Sequence, residues 1–112
     1  MSAEEERLEL GLELIRSGRF FEAHEELELV WRAAGAAERD FYQGLVHVAV
    51  AWYQAERGRP VATARQLEKA SRRLAPFAPR HRGVEVAAVL AQVERARESA
   101  AQGSLRLEPP AV

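Results

Sequence analysis

Residues 38–56 constrain the fold of this chain more than any other stretch, because they are apolar on nearly every side. Two apolar stripes recur there at helical spacing: Phe41, Leu45, Val48 and Trp52 form the first, and Val46, Val50 and Tyr53 form the second. The polar residues Gln43, His47 and Gln54 follow a period of about 3.6, which favours a helix over a strand. A helix that is apolar around most of its circumference is buried by other helices. The segment therefore predicts the central helix of an all-α domain.

Glycines and a capping pattern divide the rest of the chain into further helical segments. Ser2 and Glu5 have the spacing of a capping box, which starts a helix. Gly18 and Gly58 are placed to end helices, because glycine adopts the left-handed conformation at little cost. Pro60 suits the first position of the next helix. We predict a compact bundle of about five helices, with two αα-hairpins and a C-terminal helix, in one domain over residues 1–103. Residues 104–112 are expected to be a flexible tail.

A weak internal repeat supports the two hairpins. SGRFFEAHEELELVW and RGRPVATARQLEKAS align at an offset of 40 residues, which pairs Gly18 with Gly58 and Glu28 with Glu68. This is weakly tetratricopeptide-like, although that repeat has about 34 residues and needs more than two units. The spacing predicts these inward residues: Phe20, Ala23, Leu27 and Trp31 on the second helix, and Val61, Ala64, Leu67 and Leu74 on the fourth.

Composition excludes several classes of protein. The chain has no cysteine, which excludes disulfides, thiolate catalysis and cysteine-ligated zinc. It has no run of about 18 apolar residues that would span a membrane. The first residues are acidic where a signal peptide would be basic, so we expect a cytoplasmic protein. The lack of asparagine and of internal methionine hints at a thermophile, or the arginine and alanine content reflects a GC-rich genome.

The segment FFEAHEELELVW contains the first candidate site. His24 and Glu28 lie one helical turn apart on one face, at the edge of the predicted core. They are either an acid–base or ligand-binding pair, or a polar pair that holds the helix in register. We favour the structural role and expect Trp31 and its neighbours to shield the imidazole from water. With His47 they would form a two-histidine, one-carboxylate metal set only if two helices bring them together. No cofactor is expected.

The distribution of charge gives the second candidate. Residues 1–40 carry a net charge of −6 and residues 41–112 carry +5. The basic stretch 57–82 has a stripe that includes Arg65, Lys69, Arg72 and Arg73. Such a stripe binds phosphates in nucleic-acid proteins, but the pI of about 6.3 makes nucleic acid an unlikely partner. A solvated face, or one that pairs with an acidic helix or another subunit, is the simpler interpretation.

The same residues carry a resemblance to a known family. FFEAHEELELVW followed by FYQGLVHVAVAWYQAERGRP resembles the bacterial and archaeal family called domain of unknown function 309, with its F-x-E-A-H-E-x-x-E-x-x-W segment and Q-G-L run. The matching residues are Phe20, Glu22, Ala23, His24, Glu25, Glu28, Trp31, Gln43, Gly44 and Leu45. The resemblance covers about residues 8–75 and implies a small all-α bundle of about five helices with no established activity. His47 stands where the family is expected to have glutamine, so a metal site built on it would be peculiar to this chain.

From these features we expect a non-enzymatic module that binds a protein partner or a second copy of itself. The first alternative is a small metal-binding protein or enzyme centred on His24 and Glu28. The second alternative is anion or nucleic-acid binding by residues 57–82.

Overall fold

Five α-helices and no strand make up the chain, so the predicted all-α bundle is confirmed. The computed structural model describes all 112 residues. The helices are Ala3–Arg16 (α1), Phe20–Ala33 (α2), Ala36–Glu56 (α3), Pro60–Leu74 (α4) and Val86–Ala101 (α5), with a 3₁₀ turn at Ala75–Phe77. Each helix packs on the next along the chain. The hairpins are α1–α2 and α3–α4, and α5 packs on α4. None of the helices combines the length and hydropathy that crossing a bilayer requires.

The predicted helix signals have a physical basis in the observed caps. The Ser2 hydroxyl accepts a hydrogen bond from the Glu5 amide at 3.1 Å, which pairs one of the free amides of the first turn. Gly18 and Gly58 have φ values of 78° and 69°. After each glycine, the next amide bonds back five residues, from Arg19 to Leu14 and from Arg59 to Gln54. This is the Schellman pattern, so the repeated Gly-Arg turns close both hairpins in the same way.

The central helix α3 is buried along most of its length, as its apolar stripes predict. Its residues Phe41, Tyr42, Leu45, Val48, Ala49 and Ala51 are fully buried. Gly44 lets α4 approach: a Cβ atom there would lie 2.6 Å from the Leu74 Cγ atom. A partly exposed stripe remains, made of Gln43, His47, Val50 and Gln54. Val50 and Gln54 of this stripe line a pocket together with α2, whereas His47 hydrogen-bonds to Gln66 of α4.

The predicted inner faces of α2 and α4 need correction. On α2, Val30 is buried where Trp31 was expected, and Trp31 is only partly buried. On α4, Val61 and Ala64 are exposed, and the buried stripe is Thr63, Leu67, Ala70 and Leu74. The helix is therefore rotated from the predicted orientation. A buried threonine is tolerated there because its hydroxyl donates to the Arg59 carbonyl at 2.8 Å.

The tail, residues 104–112, packs on the bundle, whereas we expected it to be flexible. Pro110 is buried, and Leu107 and Val112 pack against the core. Four hydrogen bonds from side chains of α1, α3 and α5 join its main chain. The sequence of the tail has no periodic pattern from which these hydrogen bonds could be predicted, because they are made to its backbone atoms.

Candidate functional site

The geometry around His24 fixes which ring nitrogen carries a proton. Nδ1 lies 2.9 Å from the carbonyl oxygen of Phe21, one turn earlier on α2. Because a carbonyl oxygen only accepts, Nδ1–H is the donor. Nε2 lies 3.5 Å from Glu28 Oε2. In the neutral ring, therefore, a lone pair faces a carboxylate, and only a proton or another cation placed between them would make that contact attractive.

The His24 ring lines a half-open pocket between α2 and α3. The other lining residues are Phe20, Phe21, Val50, Tyr53 and Gln54, and the volume is about 190 Å³. The Phe21 ring lies 5.2 Å from the His24 ring and 5.5 Å from the Tyr53 ring, measured between centroids. Pockets for drug-sized ligands have about 300–1,000 Å³. This pocket is smaller and mainly apolar, and its size suits a single apolar side chain.

The expectation that Trp31 shields the imidazole is wrong. Trp31 lies near the other end of α2, where the guanidinium of Arg39 is 5.2 Å from its ring centroid. The aromatic groups beside His24 are instead Phe21 and Tyr53. Phe21 itself is 50% exposed. The family segment thus places its tryptophan and its histidine in separate environments along one edge of α2.

The structure does not bring His47 to the His24–Glu28 pair. Its Nδ1 atom lies 2.7 Å from Gln66 Oε1 on α4. Burial lowers the pKa of His47 by disfavouring the imidazolium. The hydrogen bond that its Nδ1–H donates to Gln66 acts in the opposite direction, and the cationic side chains nearby on α4 lower the pKa further. No three histidine or acidic side chains are placed to share a metal ion. The three-residue metal set is therefore not assembled.

The remaining candidate residues divide by whether they have an ion-pair partner. Among the basic residues, Arg72 pairs with Glu68 at 3.6 Å and Arg73 with Asp40 at 2.8 Å. Arg65 and Lys69 have no such partner; Arg65 is exposed, and Lys69 is partly exposed near His47. On α2, Glu22 pairs with Arg19 and Glu26 with Arg7, which leaves Glu25 exposed and without a basic partner. Gln43 is partly exposed on the α3 stripe.

We call the outward-facing residues of α2, α3 and α4 together the α2–α4 face. It comprises the outer side of α2 (Phe21, Glu25, Glu28, Leu29), the α3 stripe (Gln43, His47, Val50, Gln54) and the outer side of α4 (Val61, Arg65, Lys69). Three large apolar side chains are exposed on it: Phe21, Leu29 at 44% and Val61 at 64%. The α2 side is acidic and the α4 side is basic, so the face carries opposite charges along its two edges.

A second polar cluster joins α1, α3 and the loop before α5, and sequence reasoning missed it. The hydroxyl of the fully buried Tyr42 donates to Glu4 at 2.8 Å. His81 Nε2 donates to Glu38 at 2.8 Å. Arg82 contacts both carboxylates, Glu4 at 3.1 Å and Glu38 more closely. The cluster ties the loop to two helices, which is a structural role.

The pKa directions in this cluster agree with the contacts. Desolvation raises the pKa of Glu38, but the hydrogen bonds and charges of Arg82 and His81 outweigh it and hold the pKa below its usual value. Desolvation, together with the bond to Glu4, raises the pKa of Tyr42. The loop turns at Arg82 and Gly83, with φ of 46° and 78°. Two left-handed residues in a row form the tight turn of a hairpin, and Arg-Gly was the only sequence signal for it.

Comparison with known proteins places the chain in a family without giving it an activity. Residues 8–66 match the family described as domain of unknown function, DUF309. The match includes His24, Glu28 and Gln43 and ends within α4. No curated protein and no solved structure matched the chain. Since the matched residues are more than half of the 112, this chain is a member of the DUF309 family.

Proposed function

We propose that the protein is a non-enzymatic interaction module that pairs with a second copy of itself through the α2–α4 face. The observation that carries the proposal is the match between the two edges of this face. The acidic edge has an exposed phenylalanine one turn before Glu25, and the basic edge has an exposed valine one turn before Arg65. Each edge therefore presents an apolar anchor followed by a charge of opposite sign.

The two edges are also in register. Phe21 and Val61 are 40 residues apart, as are Glu25 and Arg65, and this is the offset of the Gly-Arg turns that start α2 and α4. The helices α2 and α4 run in the same direction, antiparallel to α3. A twofold axis parallel to α3 would set α2 of one copy beside α4 of the other at the same level. Twofold dimers of this self-complementary kind are the commonest oligomers.

The pocket beside His24 supplies the shape for such a contact. Its volume of about 190 Å³ accepts one aliphatic side chain, and its rim carries the exposed Phe21. Val61 of a second copy is a side chain of suitable size. Interface energy concentrates in a few apolar anchors that fill pockets, while charged rims mainly set orientation and rate.

Sedimentation velocity with charge reversals tests this proposal. We expect reversible dimers that weaken with added salt, because salt screens exposed charges over a Debye length of about 8 Å at physiological strength. Glu25→Arg and Arg65→Glu should each weaken dimerisation at least tenfold, which is about 1.4 kcal/mol. The double reversal should restore it. Glu98→Arg on α5, also exposed and without a basic partner, is the matched control and should sediment like the wild type.

A wild-type chain that stays monomeric to millimolar concentration would refute the proposal. So would a double reversal that is no better than either single variant, provided circular dichroism shows that all variants fold. Cytoplasmic location and a thermophilic source remain predictions from composition alone.

The His24–Glu28 pair supports a second candidate function, binding of a divalent transition metal. The hydrogen bond from Nδ1 to Phe21 leaves Nε2 free to act as a ligand, and this is how metal-binding histidines are usually oriented. Two protein ligands would leave the remaining positions of the ion to water. Zinc titration followed by calorimetry tests it. Saturable binding that His24→Ala removes would support this function, and equal heats for wild type and variant would exclude it.

A further inference from the structure

The hydrogen bonds that hold the tail all join side chains of the bundle to its main chain. The Trp52 indole N–H donates to the Glu108 carbonyl at 2.8 Å. Gln92 uses both ends of its amide: Nε2 donates to the Pro109 carbonyl at 2.5 Å, and Oε1 accepts from the Ala111 amide at 2.6 Å. Arg16 donates to the main-chain oxygen of Val112 at 2.9 Å.

Both central side chains are buried, and the tail is the partner of their polar atoms. Gln92 is 5% exposed and Trp52 is 4% exposed. A buried amide or indole N–H needs a hydrogen-bond partner, because leaving it unpaired costs about 1–3 kcal/mol. Here each of these hydrogen bonds is made to the main chain of the tail. A set of this kind recognises a chain conformation, with side-chain pockets adding the choice of sequence.

The tail has the chemistry of a recognition peptide. Pro109 and Pro110 each fix φ near −65° and keep the residue before them out of the helical region, so the segment enters its site already extended. An indole N–H that bonds to a carbonyl beside proline is suited to such extended ligands, whose ordering costs little entropy. Leu107, Pro110 and Val112 provide the apolar contacts. The bound pattern is Leu-x-Pro-Pro-x-Val.

The groove is wider than the tail that lies in it. A cavity of about 570 Å³ remains beside the tail, lined in part by Ile15, Phe20, Trp52 and Pro110. This volume falls within the range of about 300–1,000 Å³ that is usual for ligand sites. The tail therefore leaves part of the groove unfilled.

We propose that the groove between α1, α3 and α5 is a binding site for a short extended peptide with a Leu-x-Pro-Pro-x-apolar pattern, and that residues 105–112 occupy it in cis as a built-in competitor. The tail leaves α5 at Gly103, whose φ of 85° turns the chain back over the bundle. A peptide from another protein must displace this tethered segment, whose effective concentration is in the millimolar range. Gln92 and the tail lie outside residues 8–66, so the complete site is not part of the matched family segment.

Fluorescence anisotropy with a dye-labelled peptide of residues 104–112 tests the site on the full chain. The wild type should bind this peptide weakly. The release variant Leu107→Ser/Pro110→Gly weakens the tethered tail and should bind the peptide at least tenfold more tightly. Gln92→Met, a substitution of similar size, should reverse that gain when added to the release variant. A peptide with both prolines replaced by alanine should bind about tenfold more weakly than the original.

A second measurement shows whether the release variant has lost its own tail contact. The indole N–H of Trp52 should exchange with solvent faster in the release variant than in the wild type, with the Trp31 indole as the internal reference. The proposal is overturned if the variant is folded and shows this faster exchange, yet binds no peptide at millimolar concentration. It is also overturned if a scrambled peptide binds equally well, or if Gln92→Met leaves the affinity unchanged.

Discussion

Replacing Gly44 with alanine should destabilise the protein, although alanine is the better helix former. The added Cβ atom would lie 2.6 Å from Cγ and 2.7 Å from Cδ2 of Leu74, and 3.3 Å from the Arg73 Cβ atom. Leu74 is fully buried, so it has little room to move. Overpacking of this kind typically costs about 1–3 kcal/mol, and two contacts below 3 Å favour the upper end. The alanine gains about 1 kcal/mol of helix propensity.

The expected net loss is therefore about 2 kcal/mol in the free energy of unfolding. For a chain of this size such a loss lowers the melting temperature by about 8 °C, taking roughly 4 °C per kcal/mol. Urea denaturation followed by circular dichroism measures the free energy, and an unchanged m value would show that the unfolded state is not affected.

A double-mutant cycle with Leu74→Ala identifies the cause. Leu74→Ala alone should cost about 2–5 kcal/mol because it leaves a cavity. In that background the Gly44→Ala methyl group no longer meets the leucine, so the substitution should become neutral or stabilising by up to about 1 kcal/mol. Gly11→Ala is the matched control. Its Cβ atom would meet Leu27 at 2.7 Å, so its loss should be the same with or without Leu74. If Gly44→Ala is equally harmful in both backgrounds, contact with Leu74 is not the reason.

Three further predictions concern ionisable groups. Because the folded state lowers the pKa of His47, stability should fall as pH drops below about 6.5, its ordinary value, and His47→Gln should remove that loss in urea titrations at pH 5–7. Because the folded state lowers the pKa of Glu38, its contribution to stability is complete above about pH 4.5, the ordinary pKa. This contribution is lost as the pH falls through the pKa of the folded state. Glu38→Gln should thus cost about 1.5–3 kcal/mol at neutral pH, as expected for a hydrogen bond to a charged group, and progressively less as the pH falls through the folded-state pKa of Glu38. His24→Ala should cost about 1 kcal/mol, because it removes the bond to the Phe21 carbonyl; a loss of several kcal/mol in the denaturant midpoint would contradict this.

The helices were predictable because their signals are local. The Gly-Arg turns after Arg16 and Glu56 appear in the sequence where the structure has left-handed glycines. The apolar circumference of residues 38–56 likewise identified α3 as the central helix. The orientation of α4 was harder to predict, because hydrophobicity alone favours burying Val61 and exposing Thr63. Only the bond from the Thr63 hydroxyl to the Arg59 carbonyl explains why threonine is the buried one.

The functional surfaces were less predictable because they depend on contacts between distant residues. Trp52 and Glu108 are 56 residues apart, and Gln92 looks like an ordinary polar residue of a helix. Its bonds reach backbone atoms, which every sequence provides, so no residue pattern marks them. The cluster around Glu38 likewise joins residues more than 40 positions apart. Sequence reasoning did identify His24, but it could not tell which aromatic ring lies beside it.

The two proposed binding surfaces lie on different sides of α3. Val50 and Gln54 belong to the α2–α4 face, whereas the Trp52 indole points to the tail. Trp52 is buried in the core between them, and Phe20 is the one residue that lines both the pocket beside His24 and the cavity beside the tail. The helix α3 therefore separates most of the two surfaces. Charge reversal at Glu25 should leave exchange of the Trp52 indole unchanged, and release of the tail should leave dimerisation unchanged. A dimer of such chains would carry two peptide grooves facing away from its own interface, so pairing would raise the avidity for a partner with repeated proline motifs without altering either groove.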